Sequence, residues 1–334
     1  MSQAGGKVDD IEQVEPVAVS KAAEIADEII DRIGSAVVAD TDFFELLLTG
    51  VVARGHVHLE DVPGTGKTLA AQVLAEALGM SFSRVQFTPD LLPADITGSH
   101  IYDEVESEFE FQRGPVFANV VLADEINRAP PKTQAALLEA MGEKQVSVDG
   151  TSYRLPRPFF VIATQNPVEQ EGTFELPEAQ RDRFSIKTQM GYPGHEGELE
   201  LLDRRGSRRT QVPSVEPVIG PGDVRRIQVT AEEVGVRSEI KEYMVDLAEY
   251  TRDDPRVNIG VSPRGVQKMF EAARALAVLR GREYVTPDDV KRLSHPLYAH
   301  RLVLTTDASI RDVDPNDIVA EALDAVSVPG MDQQ

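Results

Sequence analysis

The sequence feature that most restricts the fold is an eight-residue loop, DVPGTGKT, at residues 61–68. An apolar strand candidate, HVHLE, precedes the loop, and a helical stretch, LAAQVLAEALG, follows it. Glycines let the backbone turn successive N–H groups towards phosphate oxygens, and the N-terminus of the next helix directs its dipole at the same anion. Strand, loop and helix in this order predict a phosphate-binding loop on an α/β fold. The alternative is a Gly/Pro-rich turn with an incidental lysine.

The residues of this loop have different expected tasks. The ammonium of Lys67 is expected to reach the β- and γ-phosphates of a nucleotide, and the hydroxyl of Thr68 is expected to bind Mg²⁺. Asp61 occupies the position of the pattern's first glycine, and a second carboxylate, Glu60, stands beside it. The loop residues predicted to contact the nucleotide are Pro63, Gly64, Thr65, Gly66, Lys67, Thr68 and Leu69.

Composition excludes several classes of protein. The chain has 334 residues and 41% hydrophobic content, enough for a sizeable core, and it has no cysteine. Disulfides, thiol catalysis and thiolate zinc sites are therefore excluded. The longest apolar runs are too short for a membrane span, and the amino terminus is polar and acidic, unlike a secretion signal. We expect a soluble, cytoplasmic protein without membrane insertion.

The charge balance is strongly acidic, with a formal net charge of −22 and a pI near 4.7. Such a surface repels nucleic-acid phosphates, so nucleic-acid binding is disfavoured. Two interpretations of the excess carboxylates remain open. One is a generally solvated surface; the other, which we favour, is adaptation to a salt-rich (halophilic) cytoplasm.

The chain divides into four parts. Residues 1–16 are predicted to be a disordered tail, residues 17–193 an α/β unit, residues 194–310 an all-helical domain, and residues 311–334 a C-terminal tail. In the α/β unit helical stretches alternate with the apolar runs HVHLE, SRVQF, NVVLADE, FFVIATQ and SIKTQM. Near-continuous apolar runs of this kind are typical of parallel strands that are buried on both faces. The predicted fold is a parallel sheet flanked by helices, followed by a helical domain.

Local signals add caps and two hairpins. Thr41 or Asp42 is the predicted N-cap of the second helix, and Ser262 and Thr286 each precede a proline at a helix start. The Asp149-Gly150 dipeptide predicts a tight hairpin turn, and alternation over residues 99–112 predicts an earlier hairpin. Such hairpins either cover apolar surface or protrude as working loops, and the sequence leaves both open.

Polar residues at strand ends supply the candidate chemistry. Asp124 and Glu125 end the run NVVLADE, and Asn166 ends FFVIATQN. Adjacent acids at the carboxyl end of a buried strand can hold Mg²⁺ and activate a water for hydrolysis, and an amide can contact the γ-phosphate. Arg183 and Arg264 can contact phosphoryl oxygens, although arginines are common on protein surfaces. The alternative for Asn166 is an ordinary Asn-Pro turn.

Two histidines lie on the first predicted strand. His56 and His58 share one of its faces, but no carboxylate is spaced to complete a metal site with them. We expect both side chains to pack inside the sheet instead of binding a metal.

Residues 37–302 resemble the MoxR family of AAA+ ATPases. The likeness rests on HVHLEDVPGTGKT, FTPDLLPADITGS, FQRGPVFANVVLADEINRAPPKTQAALLEAM, VIATQNPVEQEGTFELPEAQRDRF and VSPRG, in that order. The resemblance implies that Asp124 and Glu125 are the Walker B pair and that Asn166 is sensor 1. It also implies that Arg183 is the arginine finger acting on a neighbour's nucleotide. Arg264 would be sensor 2 on a helical lid and would contact ATP together with Lys67.

The chain departs from the family pattern at two places. Where relatives often have Val-Val-Gly-Gln near the adenine, this sequence has Val37-Val38-Ala39-Asp40, so Val38 is the candidate contact to the base. Arg181 adds a second positive charge beside Arg183, which leaves open which arginine is the finger.

The resemblance also implies cofactors and partners. ATP and Mg²⁺ are the expected cofactors, a homo-hexameric ring is the expected assembly, and a von Willebrand factor A domain protein is the expected partner in maturing an unspecified client. Alternatives are a metal chelatase motor subunit, a non-hydrolysing ATP-gated binding module and a DNA-remodelling ATPase, the last disfavoured by charge.

Overall fold

The computed structural model describes residues 14–330, except for residues 106, 169–171, 175 and 208–212. The predicted tail at 1–16 therefore lies outside the described residues except for its last three, and so do residues 331–334. The helices are α1 (Val19–Gly34), α2 (Thr41–Val52), α3 (Lys67–Ala77), α4 (Pro93–Thr97), α5 (Pro131–Glu143), α6 (Glu178–Arg181), α7 (Gly194–Ser207), α8 (Pro221–Glu233), α9 (Ser238–Asp253), α10 (Pro263–Leu279), α11 (Pro287–Tyr298), α12 (Thr306–Ile310) and α13 (Pro315–Ala325). The strands are β1 (Val57–Glu60), β2 (Phe82–Gln86), β3 (Gly98–Asp103), β4 (Glu108–Arg113), β5 (Val120–Asp124), β6 (Gln145–Val148), β7 (Thr151–Arg154), β8 (Phe160–Gln165), β9 (Ile186–Thr188), β10 (Val257–Ile259) and β11 (Val303–Leu304).

A parallel sheet of order β2-β5-β8-β1-β9 forms the centre of the α/β unit. Each of its strands coincides with one of the apolar runs, which confirms the sequence prediction. The three inner strands, β5, β8 and β1, are buried on both faces because alternate residues enter two cores, whereas the edge strand β2 exposes Arg84 and Gln86. In β8, Phe160 and Ile162 pack in the core that contains α1, α2 and α3, whereas Val161 and Ala163 pack in the core with α4 and α5.

The two predicted hairpins are present and contact each other. β3 pairs with β4 and β6 pairs with β7, the second pair joined by Asp149 and Gly150 with φ values of 49° and 81°. The His100 ring lies 2.9 Å from a carboxylate oxygen of Asp149, and the Phe111 and Tyr153 rings stack with centroids 3.9 Å apart. The second hairpin thus covers the base of the first, whose outer end protrudes.

The helical domain packs against the first two helices of the chain. Arg280 of the turn after α10 donates two hydrogen bonds to the Glu45 carboxylate of α2, at 2.8 and 2.7 Å. The domain differs from the all-helical expectation because β10 and β11 form a small antiparallel pair. The described residues contain no helix that is both long and apolar enough for a bilayer span.

Two local expectations differ from the structure. Asp40, and not Thr41 or Asp42, is the N-cap of α2, since its carboxylate accepts from the backbone N–H of Asp42 at 2.9 Å. The segment expected to be a C-terminal tail contains α13, which buries Ile318, Val319 and Ala322 against the helical domain.

Candidate active site

The phosphate-binding loop joins β1 to α3 in the predicted order. Gly64 and Gly66 have φ values of 88° and 101°, a region that favours glycine, and Gly66 is the N-cap residue of α3. Lys67 Nζ donates to the carbonyl oxygens of Asp61 and Val62 at 2.7 and 3.0 Å. An ammonium has three N–H donors, so these two contacts hold Lys67 at the mouth of the loop and leave one donor for a phosphate.

The electrostatic surroundings of Lys67 come from three carboxylates. Burial lowers the pKa of Lys67, and Asp61, Asp124 and Glu125 act in the opposite direction. These acids belong to the loop and to the end of β5, so the structure brings the predicted Walker A and Walker B residues to one edge of the sheet. That edge is where ligands of open α/β sheets bind.

Asp124 is the last residue of β5, and both of its carboxylate oxygens have partners. Oδ1 accepts from the Thr164 hydroxyl at 2.6 Å, and Oδ2 accepts from Nε and Nη2 of Arg84 at 3.1 and 2.6 Å. A carboxylate can accept about four hydrogen bonds. Oδ1 therefore keeps an acceptor position for a cation.

Glu125 has an unusual backbone conformation, with φ 56° and ψ 50°. Its N–H donates to the Thr164 hydroxyl at 2.9 Å, and Oε2 accepts from Gln86 Nε2 and lies near Arg128 Nε, both at 2.9 Å. A non-glycine residue in the left-handed region persists only where its surroundings hold it, and such residues cluster at functional sites. The carboxylate is thus oriented at the same sheet edge as Lys67.

Asn166 follows the last residue of β8 and is buried. Its side-chain oxygen accepts from the backbone N–H of Val168 at 3.1 Å. Because Gln165 is in register with Glu60 of β1, Asn166 follows β8 at the level where the phosphate-binding loop leaves β1.

Arg183 and Arg264 lie together, but not beside Lys67. Both line a cavity of about 310 Å³ that also contains Gly55 and His56, which precede β1. The loop leaves the other end of β1, roughly 10 Å away at about 3.3 Å per residue. The structure therefore does not bring Arg264 and Lys67 together, which differs from the expectation that both contact the same ATP.

The reason for this placement is a long-range anchor. Arg301 is buried; it donates to the Asp182 carboxylate at 2.9 Å and to the carbonyl of Phe184 at 2.7 Å. Its side chain packs against Gly265 at the start of α10. Arg301 thus joins the residue after Arg264 to the residues on both sides of Arg183.

The cavity shared by Arg183 and Arg264 is rich in cations. Its positively charged lining residues are Arg54, Lys144, Arg183, Arg264 and Lys268, and its acids are Asp182, Glu232 and Glu271. Burial lowers the pKa of Lys144, and the nearby charges of Arg54 and Lys268 lower it further. Two of these cations are ion-paired, Arg54 with Glu232 at 3.1 Å and Lys268 with Glu271 at 2.8 Å. The cavity keeps an excess of positive charge in a chain of net charge −22, which suits a phosphate group.

Arg181 lies elsewhere. It lines a separate cavity of about 470 Å³ together with Glu60, Lys187 and residues of α11 and α13. The structure thus separates the two arginines of the finger alternative: Arg183 shares the cavity of Arg264, and Arg181 lines the other one.

Val38, the candidate contact to the base, lies against α7. Gly197 of α7 packs so closely that a Cβ there would come within 3.2 Å of Val38 Cγ1. Asp40 is the last residue of the Val-Val-Ala-Asp segment, which differs from the family pattern, and it caps α2.

The two histidines of the first strand pack inside the protein, as expected. Burial lowers the pKa of His56 to about 3 and that of His58 to about 4, the latter with a contribution from Lys187. His56 Nδ1 accepts from the backbone N–H of Val161 at 3.1 Å, and the His58 ring lies 5.3 Å from that of Phe184. Among the described residues no cluster of three metal-ligating side chains occurs.

Several site residues were not identified from the sequence. Arg84 and Gln86 alternate along β2 and reach the two acids, and the Thr164 hydroxyl joins those acids from β8. The polar residues at the carboxyl ends of β2 and β8 could have been predicted as site residues from the sequence. No sequence pattern indicates Lys144 and Lys268, because only the tertiary fold brings them to Arg183.

Comparison with known proteins agrees with this geometry. Residues 56–186 match the ATPase family associated with various cellular activities (AAA), and residues 249–322 match the AAA lid domain. Chaperone MoxR1 of Mycobacterium tuberculosis is 42% identical over 92% of this chain and 84% of its own. Protein YeaC of Bacillus subtilis, described as uncharacterized, is 47% identical over 90% of this chain and 93% of its own.

A solved structure shares the whole architecture. A candidate ATPase from Cytophaga hutchinsonii superposes with a TM-score of 0.87 at 37% identity, covering 93% of this chain and 97% of the other. The loop, the acids at the end of β5, the lid and these relatives together show that the chain belongs to the MoxR family of AAA+ ATPases and is an ATP-hydrolysing enzyme.

Proposed function

We propose that this ATPase works with Mg²⁺ at a site shared between adjacent subunits, and that its cycle drives chaperone-like remodelling of a partner complex. The observation that carries the proposal is the position of Arg183 and Arg264 in one cationic cavity, at the opposite end of β1 from Lys67. Because both arginines line a cavity at the other end of β1 from their own loop, the phosphates that they contact would come from a neighbouring copy.

The residues at the loop bind and orient the nucleotide. Lys67 and the backbone N–H groups of the loop contact the phosphates. Thr68, in the first turn of α3, and Asp124, which keeps an acceptor position on Oδ1, are oxygen donors of the kind that Mg²⁺ prefers. Magnesium supplies positive charge to the phosphate oxygens when it is bound.

The attacking water is handled by Glu125 and Asn166. Gln86 and Arg128 hold the Glu125 carboxylate in one orientation, and a carboxylate so placed can accept the proton of a water. Asn166 offers an amide at the same sheet edge to the γ-phosphate. Val38 contacts the base beside α7.

The neighbouring subunit completes the site. Arg183 and Arg264 stabilise charge on the γ-phosphoryl group, and Lys144 adds to the positive potential. A head-to-tail interface of this type closes into a ring, and we propose the hexamer that AAA+ proteins usually form. The name of one relative, chaperone MoxR1, supports a chaperone-like remodelling role. We propose in addition that the protein acts in the cytoplasm with a von Willebrand factor A domain partner, as the family resemblance implies.

The test compares two variants in direct nucleotide-binding and phosphate-release assays at high protein concentration. Glu125→Gln should bind ATP but lose turnover by roughly 10²–10⁴-fold, since it cannot accept a proton. Lys67→Ala should fail to bind. Near-normal turnover by Glu125→Gln would show that another group activates the water.

A further inference from the structure

Asp61 stands where a phosphate-binding loop usually has its first glycine, and its carboxylate accepts hydrogen bonds from the backbone. The residue is only 6% exposed. A buried carboxylate is costly unless hydrogen-bond donors satisfy it. The identity of those donors therefore indicates what the residue does.

The donors belong to two separate segments. Oδ1 accepts from the N–H of Val62, inside the loop, at 2.8 Å. Oδ2 accepts from the N–H groups of Met190 and Gly191, at 3.0 and 2.9 Å. These two amides lie in the connection from β9 to α7. Hydrogen bonds to a carboxylate are among the stronger ones in proteins, so Asp61 ties this connection to the start of the loop.

Met190 also lies beside the other end of the loop. A Cβ on Gly66 would lie 3.5 Å from Met190 Cε, which is ordinary van der Waals contact. The connection is thus held by a polar contact at the first residue of the loop and lies against its second glycine. A shift of the loop on phosphate binding changes both contacts.

The connection leads directly to α7 and to the predicted base contact. After Gly191 the chain turns through Gly194, both with positive φ values, of 71° and 69°. Gly197 of α7 then packs against Pro193 and Val38, and Arg204 donates to the carbonyl of Gly34 at 2.8 Å. A movement at Met190 and Gly191 is therefore carried to α7.

We infer that Asp61 is a positioning residue that couples the phosphate-binding loop to the β9–α7 connection, so that nucleoside triphosphate binding at the loop is transmitted to α7. A glycine at this position can form the loop but cannot make that link. Through this coupling, nucleotide binding at the loop would shift α7 even before ATP is hydrolysed.

The experiment measures hydrogen–deuterium exchange of the full chain, alone and with a non-hydrolysable ATP analogue, for Asp61→Asn and Asp61→Gly. Asp61→Asn keeps the size of the side chain but removes its charge and one acceptor. The matched control is Glu60→Gln at the adjacent residue, which changes the Glu60–Lys187 ion pair and has no part in the contacts to Met190 and Gly191. A fluorescent nucleotide analogue measures affinity separately, and thermal melts verify folding.

We expect both Asp61 variants to bind the analogue with little change in affinity. Exchange at Met190 and Gly191 should rise roughly tenfold or more, because local opening no longer breaks charge-assisted hydrogen bonds. The analogue-dependent change of exchange in α7 should disappear, and kcat should fall more than KM changes. Glu60→Gln should retain the wild-type pattern.

The inference is overturned if either folded Asp61 variant keeps the analogue-dependent change in α7, or if Glu60→Gln abolishes it equally. Wild-type protein provides an independent measurement that does not depend on the variants folding. Its Met190 and Gly191 amides must exchange slowly, and fast exchange there contradicts the hydrogen bonds to Asp61.

Discussion

The hydroxyl of Thr164 donates a hydrogen bond to Oδ1 of Asp124 at 2.6 Å. The hydroxyl oxygen of Thr164 in turn accepts a hydrogen bond from the backbone N–H of Glu125 at 2.9 Å. One side chain from β8 thus fixes both the proposed Mg²⁺ ligand and the residue proposed to activate water. Glu125, whose amide bonds to Thr164, has a left-handed backbone conformation, and such a conformation persists only where neighbouring groups hold it.

Thr164→Val is therefore expected to lower ATPase activity with little loss of nucleotide affinity. The change keeps the shape of the side chain but leaves the Glu125 amide without its partner. We expect turnover to fall roughly 10–100-fold, the range found when groups that orient metal ligands are removed. Steady-state phosphate release and nucleotide binding measure the two effects. Thr164→Ser, which keeps the hydroxyl, should remain close to wild type, and equal losses in both variants would contradict the role of the hydroxyl.

The cavity that holds Arg183 and Arg264 predicts a complementation pattern. Arg183→Ala and Arg264→Ala should each lose activity alone, an arginine finger contributing about 10³–10⁵ in rate. Mixing either one with Lys67→Ala should restore part of it, because the arginine variant supplies an intact loop and the lysine variant supplies the arginines. The measurement is phosphate release from mixtures at constant total protein.

The two arginines give different results if their roles differ. Were Arg264 to act on the nucleotide of its own chain, no mixture of Arg264→Ala with Lys67→Ala would contain a complete site, and activity would stay absent. Arg181→Ala is the matched control. It removes a nearby positive charge from another cavity, so its activity should remain far above that of Arg183→Ala.

The buried histidines predict a loss of stability in mild acid. The folded-state pKa values of His56 and His58, about 3 and about 4, lie below the ordinary value of 6.5. The unfolded chain therefore binds more protons, and the contribution of each histidine is full above pH 6.5 and lost as the pH falls towards the folded-state value. The expected slope is about 1.4 kcal/mol per pH unit for each histidine.

His56→Gln tests this linkage. Compared with wild type, the variant should lose less free energy of unfolding between pH 6.5 and 5, by about 2 kcal/mol. Urea denaturation at a series of pH values measures the slope, which is independent of any constant cost of the substitution. The exposed His195→Gln is the control and should follow wild type. Parallel curves for His56→Gln and wild type would argue against neutral burial of His56.

Much of the fold was predictable because its signals are local. Parallel strands buried on both faces need continuous apolar runs, and each such run became a strand of the central sheet. The Asp149-Gly150 turn was predictable because few other residue pairs adopt two consecutive positive φ values. The predicted caps at Ser262 and Thr286 likewise occupy the N-cap positions of α10 and α11.

The features that the sequence did not predict depend on contacts between segments that are distant along the chain. The motif around Arg264 does not specify where α10 docks, so the sequence could not show that Arg264 lies beside Arg183. In the structure the buried Arg301 links the two segments. The helix α13 was missed because its short apolar face acquires meaning only against α9 and α11. At Asp61 the departure from the loop pattern was visible, but its partners lie 129 and 130 residues away.

The charge balance predicts salt-dependent stability. With 56 acidic and 34 basic residues, like charges repel across the surface of the folded chain. Screening shortens the range of this repulsion from about 30 Å at 0.01 M salt to about 3 Å at 1 M. The midpoint of thermal unfolding should therefore be higher in molar KCl than in low salt. Sucrose at the same water activity is the control, because it lacks ions and should not reproduce the full gain. Equal midpoints in both salt conditions would favour the other interpretation, a generally solvated acidic surface without adaptation to salt.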